Sequence, residues 1–188
     1  MLVKSESSPL TIFEAGVREA AAIAAIHAES WRTAYRGILP DQYLDHDAAA
    51  ERRRYWTAAL AGPLAGSFVL VAARGYETKG FIAVARGGAP GYDAVIESLH
   101  VMPSERGAGL GRRLMGRAVT RLIDEGASSV ALTVYDANKG AIRFYERLGG
   151  IADGAGIDPF AGANMPDTRY GWRDLAALRR ACGEDEEK

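Results

Sequence analysis

The stretch HVMPSERGAGLGRRLMG, residues 100–116, sets Gly107, Gly109 and Gly111 at alternate positions just ahead of a helical pattern, with Arg106, Arg112 and Arg113 around them. A helix N-terminus exposes N–H groups that have no partner inside the helix, and it carries about half a positive charge. Glycines let a ligand oxygen reach those N–H groups with no Cβ in the way. Arg106 and Arg112 add charge, so the guest this loop suits is a phosphate or pyrophosphate. The plainer reading is a helix start whose glycines serve only the turn. Two well-known phosphate loops do not fit. The P-loop pattern G-x-x-x-x-G-K-[ST] is absent. The dinucleotide pattern G-x-G-x-x-G sits tight against a strand end, whereas MPSER intervenes here and no long alternation of strands and helices follows.

Working outward, the helix after the loop has the clearest pattern in the chain. Between Gly109 and Glu125, Leu110, Leu114, Met115, Ala118, Val119, Leu122 and Ile123 trace one stripe, with Arg112, Arg113, Arg117, Arg121 and Asp124 opposite. DAVIESLHV (93–101) before it and SVALTVYD (129–136) after it read as strands. A helical crossover of that length makes them parallel neighbours joined right-handedly. NKGAIRFYERLGG (138–150) reads as a short amphipathic helix, capped by Asn138 and closed by Gly149. Upstream, LTIFEA (10–15), SFVLVAAR (67–74) and GFIAVARG (80–87) read as strands, the last two as a hairpin. VREAAAIAAIHAESWRTAY and DAAAERRRYWTAAL read as two helices. TRYGWRDL (168–175) reads as the last strand, DPFAGANMPDTRYGW (158–172) as the last hairpin, and LAALRRA as a helical turn or two. Antiparallel hairpins with one crossover unit give an α+β fold in a single domain over residues 10–175.

Bulk properties narrow the function classes. The chain has 188 residues, a net charge of -1, and no basic surplus of the kind a nucleic-acid binder carries. No apolar run approaches the roughly 20 residues of a membrane span. The opening MLVKSESSP lacks the apolar stretch of a signal peptide, and residues 1–9 and 183–188 read as flexible tails. A single cysteine, Cys182, excludes an internal disulfide and a cysteine-based zinc cluster, and fits a reducing, cytoplasmic setting. His27, His46 and His100 lack metal-ligand spacing, so no metal is expected.

Residues 106–111, Arg-Gly-Ala-Gly-Leu-Gly, follow [Q/R]-x-x-G-x-[G/A], preceded by a strand and a V-x-P turn. Here, and again in LTVYDANKGAIRFYERLGG, the sequence resembles the GNAT superfamily of acetyl-CoA-dependent N-acetyltransferases. The order of elements over residues 10–175 is similar too. The resemblance implies a mixed, mostly antiparallel sheet of about seven strands, splayed at two parallel central strands and flanked by about four helices. It also implies acetyl-CoA as cosubstrate, with Leu99 and Val101 offering backbone groups to its pantetheine arm. The loop of Arg106, Gly107, Ala108, Gly109, Gly111 and Arg112 would hold its pyrophosphate, and Asn138 would lie near the pantetheine.

On the same resemblance, Tyr145 is the candidate acid. A phenol of pKa about 10 is a plausible proton donor to a departing thiolate, although position 145 also falls on the apolar helix face, where a core aromatic would sit. Glu97 is the candidate base, directly or through a water. Strict strand alternation puts it on the face of Leu99 and turns His100, read as a packed residue, to the other. Some family members carry a carboxylate on the next strand, where this chain has Thr133. Trp31 and Tyr35, in ESWRTAYRGILPDQYL (29–44), and Tyr92 or Asp93, in GGAPGYD (87–93), are candidates for the acceptor wall. The acceptor is then a small-molecule or peptide amine, and the resemblance permits a homodimer. An acetyl-CoA sensor without turnover and, more remotely, a nucleotide-dependent oxidoreductase are the alternatives.

Overall fold

A computed structural model of the chain describes residues 8–160 and 162–183. Seven strands form one sheet: β1 (Leu10–Glu14), β2 (Phe68–Arg74), β3 (Glu77–Arg86), β4 (Ala94–Val101), β5 (Val130–Tyr135), β6 (Ile151–Phe160) and β7 (Ala163–Trp172), in the order β1-β2-β3-β4-β5-β7-β6. Every neighbouring pair is antiparallel except β4–β5, which is parallel. The helices are α1 (Ala20–Ala34), α2 (Ala48–Ala61), α3 (Leu110–Asp124), α4 (Lys139–Arg147) and α5 (Leu175–Ala181). The fold is α+β, as the sequence pattern implies, with α3 as the crossover between the parallel strands.

The amphipathic stripe of α3 does what its spacing demands. Leu110, Leu114, Met115, Ala118, Val119 and Leu122 are all buried against one face of the sheet, with Ile82, Ile96 and Leu132 among the strand residues they meet. The other face carries α1 and α2, where Ile23, Ile26 and Trp56 pack on Val71, Phe81 and Ala83. A third, smaller cluster joins Tyr35, Leu39, Leu44 and Met165, with Trp31, Tyr43, Tyr135 and Phe160 against it. It ties the end of α1 and the following loop to the β6–β7 hairpin. Among the described residues, no helix is long and apolar enough to cross a membrane.

Four details depart from the sequence reading. The first helical pattern is split, with a 3-10 turn at Val17–Glu19 ahead of α1. A π-helical turn over Tyr43–Asp47 leads into α2. β6 begins at Ile151, well before the expected hairpin at 158; Gly154, Gly156 and Pro159 mask it, and as an edge strand it tolerates them. Finally, LAALRRA forms the two helical turns expected of it, but as a packed element, α5, the fifth helix among the described residues. Leu178 and Cys182 are buried in the α3-side core, so packed structure runs past the expected boundary at 175 and Cys182 is not in a tail. Of the expected tails, residues 1–7 and 184–188 lie outside the described residues.

Candidate active site

β4 and β5 pair only through Ala94↔Val130 and Val95↔Ala131. Beyond that point they part, and a cleft of about 1100 Å³ opens between them. Two local features set where the parting occurs. At the paired end, Asp93 clasps the start of β5: its Oδ2 accepts from the backbone N–H and hydroxyl of both Ser128 and Ser129 at 2.8–3.1 Å. Those bonds hold its carboxyl at a pKa of about 2, below the usual carboxylate range. At the open end, the β3–β4 register slips. Ala83 faces Ser98 and Val84 faces Ile96, which leaves Glu97 as an extra residue in β4. A β-bulge of this kind bends and twists its strand.

The bulge corrects the expected faces. Ile96 and Leu99 both pack toward α3, and so does Val101. Glu97 is not on their face: it sits at the cleft near Tyr55 of α2, whose hydroxyl burial first, and then Glu97, push above the ordinary phenol range. His100 shares that side. Strict alternation failed because one extra residue shifts the pleat by one. His100 is packed, as expected, with its ring 4.3 Å from that of His27 and 5.4 Å from Phe81, yet it also lines the cleft.

The glycine loop forms the cleft's outer rim. Gly107 and Gly109 both have φ of +80°, the left-handed conformation that other residues adopt only with strain. A Cβ at either position would meet nothing within 4 Å. Gly109 caps α3, so the N–H groups of residues 110–112 are the helix's free donors. Arg106, Gly107, Gly109, Gly111 and Arg112 line the cleft; Ala108 is exposed in the loop and does not. Arg106 donates to Thr33 Oγ1 at 3.0 Å, which fastens the loop to α1. Open space beside free N–H groups, with two arginines at its edge, fits a pyrophosphate. The edge of β4 left without a partner beyond Val95, where Leu99 and Val101 lie, suits an extended amide-bearing chain.

On the opposite wall, α4 presents Tyr145. Its side chain is buried, lies 5.3 Å from the Phe144 ring and 6.1 Å from Trp172, and borders the cleft. Burial, then the nearby Tyr35, push its hydroxyl above the ordinary phenol range, so it keeps its proton. Among the described residues no hydrogen-bond partner holds that hydroxyl. Asn138 caps α4 as expected, its Oδ1 accepting from the N–H of Ala141 at 3.1 Å, and it too borders the cleft.

Trp31 and Tyr35 line the far end of the cleft, where Tyr35 lies 5.4 Å from Tyr135 and Trp31 5.1 Å from Phe160. Tyr92 does not. It precedes β4 at the end where the parallel strands are still paired, and its hydroxyl donates to Asp153. Its ring lies so close beneath Gly171 that a Cβ there would come within 1.9 Å of the Tyr92 oxygen. Tyr92 thus joins the loop before β4 to the β6–β7 hairpin, and Asp93 beside it is the strand clasp already described.

The family model described as Acetyltransferase (GNAT) family matches residues 23–150. The chain belongs to the GNAT acetyltransferase family. It is 28% identical over 172 residues to the uncharacterised N-acetyltransferase YuaI of Bacillus subtilis, covering 90% of this chain and 96% of that one. Among solved structures, the fold is similar to yncA of Salmonella typhimurium with its cofactor acetyl-CoA (TM-score 0.64, 23% identity, 96% of this chain and 97% of that one). It is also similar to the paia N-acetyltransferase of Thermoplasma acidophilum in complex with coenzyme A (TM-score 0.67, 16% identity, 87% and 99%).

Several cleft residues of this GNAT chain carry no signal in the sequence. Arg52 and Tyr55 come from α2, which reads only as an arginine-rich helix. Asp158 and Asp167 come from the masked hairpin. Tyr135 ends β5 and donates to Asp158 Oδ2 at 2.6 Å. Burial and the neighbouring Asp158 and Asp136 carboxylates raise the pKa of Asp167. Each of these residues reaches the cleft only through pairings between elements distant in sequence.

Proposed function

We propose that this GNAT protein is an N-acetyltransferase that moves the acetyl group of acetyl-CoA to a primary amine within a ternary complex. Acetyl-CoA supplies an activated acetyl thioester, whose carbonyl carbon the acceptor nitrogen attacks directly while the thiolate leaves. The chain's own residues then have separable tasks. The free N–H groups at the start of α3, with Arg106 and Arg112, hold the diphosphate end. The unpaired edge at Leu99 and Val101 holds the extended arm, with Asn138 close by. Tyr145 donates its proton to the leaving sulfur: its raised pKa keeps the hydroxyl protonated until then, and none of the described residues competes for it.

The acceptor amine arrives mostly as an ammonium and must lose a proton. Glu97, projected into the cleft by the bulge, takes that proton directly or through a water. Trp31 and Tyr35 form the acceptor wall. The carboxylates Glu97, Asp158 and Asp167 all border the cleft, which favours a cationic acceptor.

The observation that carries this reading is the meeting, in one cleft, of the anion loop, the splayed strand edge and an unengaged Tyr145. Release of free thiol from acetyl-CoA, followed across a panel of amines, tests it. Turnover with at least one amine is expected, and Tyr145→Phe should lower kcat by about 100-fold, the lower end for a general acid. CoA affinity should stay within about twofold, because the ring is kept. CoA binding with no turnover on any amine would instead favour an acetyl-CoA sensor. An unchanged rate in Tyr145→Phe would remove that residue from the chemistry.

A further inference from the structure

The α1–α2 side of the cleft carries polar groups that acetyl transfer does not use. Arg52 is one. Its side chain is only 13% exposed, and its guanidinium lies 4.7 Å from the centre of the Trp31 ring and 5.0 Å from that of Tyr55. Nη2 donates to Glu51, while Nε is buried with no partner. Glu51 is itself shared, accepting from the Tyr43 hydroxyl at 2.9 Å. A guanidinium offers five N–H groups in a rigid planar fork, and stacking on two aromatic rings fixes the plane of this one. Removing such a charge from water is costly unless its donors find acceptors.

His27 is the second group. It is 3% exposed, and its Nδ1 accepts the indole N–H of Trp56 at 3.0 Å. Burial first, and then His100 and Arg52, which would oppose a charge here, keep the ring neutral. With Nδ1 accepting, the proton of the neutral ring is on Nε2. Among the described residues that N–H has no acceptor, and His27 borders the cleft. It opens onto the cleft, so an oxygen of a bound ligand would supply the acceptor it lacks.

Carboxylates border the same cleft, Glu97 on the α2 side near Tyr55 and two more, Asp158 and Asp167, across from it. Neither of these two forms an ion pair with a lysine or arginine among the described residues. We propose that Arg52 and His27 bind a carboxylate of the acceptor, which is therefore an amino carboxylate: one molecule whose carboxylate meets Arg52 and His27 while its amine faces Glu97, Asp158 and Asp167. This rests on the acetyltransferase reading of the cleft. Glu51 already offsets part of the Arg52 charge, so this pair suits a singly charged carboxylate better than a doubly charged phosphate.

The test compares binding, measured by calorimetry with CoA present, of the twenty standard amino acids, β-alanine and 4-aminobutyrate with that of their carboxamides. At least one acid should bind roughly tenfold or more tightly than its amide, as a charge-assisted hydrogen bond would give. Arg52→Met should abolish that preference while CoA affinity is kept, and Arg52→Lys should restore only part of it, since an ammonium lacks the planar fork. Amides that bind as well as acids, no binding by any acid, or a preference that survives in Arg52→Met would each overturn the proposal. If Arg52→Met does not fold, the acid–amide comparison on the unmodified protein still decides. Thiol release measured on the same ligands keeps the two readings apart: a carboxylate preference without turnover would fail the transferase reading alone.

Discussion

His27 and His100 come from α1 and β4, and their rings meet 4.3 Å apart inside the protein. Both are held neutral. His27 is pushed well below the ordinary imidazole range by burial first, then by His100 and Arg52. His100 is lowered to about 3 by burial first, then by Arg106 and Arg52. In the unfolded chain each would titrate near pH 6.5. Above that value both states are neutral and the pair leaves stability unchanged. Below it the unfolded chain takes up protons that the folded protein refuses, so stability falls as pH drops from 6.5 toward 3. One pH unit below the unfolded pKa, the two rings together cost about 3 kcal/mol. Urea unfolding at pH 7.5 and 5.5 should show that loss, and His27→Gln should about halve it. Stability that stays flat across this interval would mean that the rings are not buried as neutral groups. Asp93, with its pKa of about 2, acts only at lower pH and does not confuse the measurement. Little of this was legible from one strand at a time: His100 reads as an ordinary packed residue, and the ring it meets is 73 positions away.

At the level of elements, legibility followed the strength of the local pattern. α3 declares itself because seven apolar residues share one stripe, and α4 because a cap and a closing glycine bracket its amphipathic turn. The parallel pairing of β4 and β5 follows from the crossover between them. The bulge at Glu97 leaves no such mark. Nothing in IESLH distinguishes a strand with an extra residue from a regular one, so Glu97, the candidate base, was expected on the wrong face. β6 failed for a different reason: glycine and proline count against a strand, and only its edge position makes them tolerable. The loop before α3 supplies a test of element against ligand. Gly109→Val forces a branched residue into φ of +80°, which costs about 1–2 kcal/mol of stability. The added side chain meets open space in the free protein, so no clash adds to that cost. That space is where a diphosphate would lie, so CoA affinity should fall by far more than the strain alone implies, at least about tenfold. Calorimetry with CoA beside a thermal melt separates the two effects. Retained affinity in a folded variant would remove the loop from cofactor binding.

On the scale of the whole molecule, the sheet divides two kinds of work. Its α1–α2 face supplies the aromatic and charged wall of the cleft, and its α3 face supplies the larger core. The cleft lies where the shared sheet is deliberately left unpaired, so the strands that form it must be held apart from both sides. α5 belongs to that support. It packs on α3, and Leu178, 1% exposed, sits in the same core as Leu114, Met115 and Trp172, yet no residue of α5 borders the cleft. A leucine buried this completely and cut back to alanine leaves a cavity and should cost about 3 kcal/mol. For a domain of this size that is a fall in Tm of roughly 6–12 °C. Because the loss is in the core behind α3 and not in the cleft, Leu178→Ala should keep the CoA affinity and the acetyl-transfer rate of the unmodified protein at temperatures well below its own Tm. A variant that melts like its parent would show that the fold does not depend on anything beyond residue 175. A variant that melts as expected but has also lost CoA affinity would show that the splay of β4 and β5 is set from the α3 face, through the core, and not by the bulge and the Asp93 clasp alone.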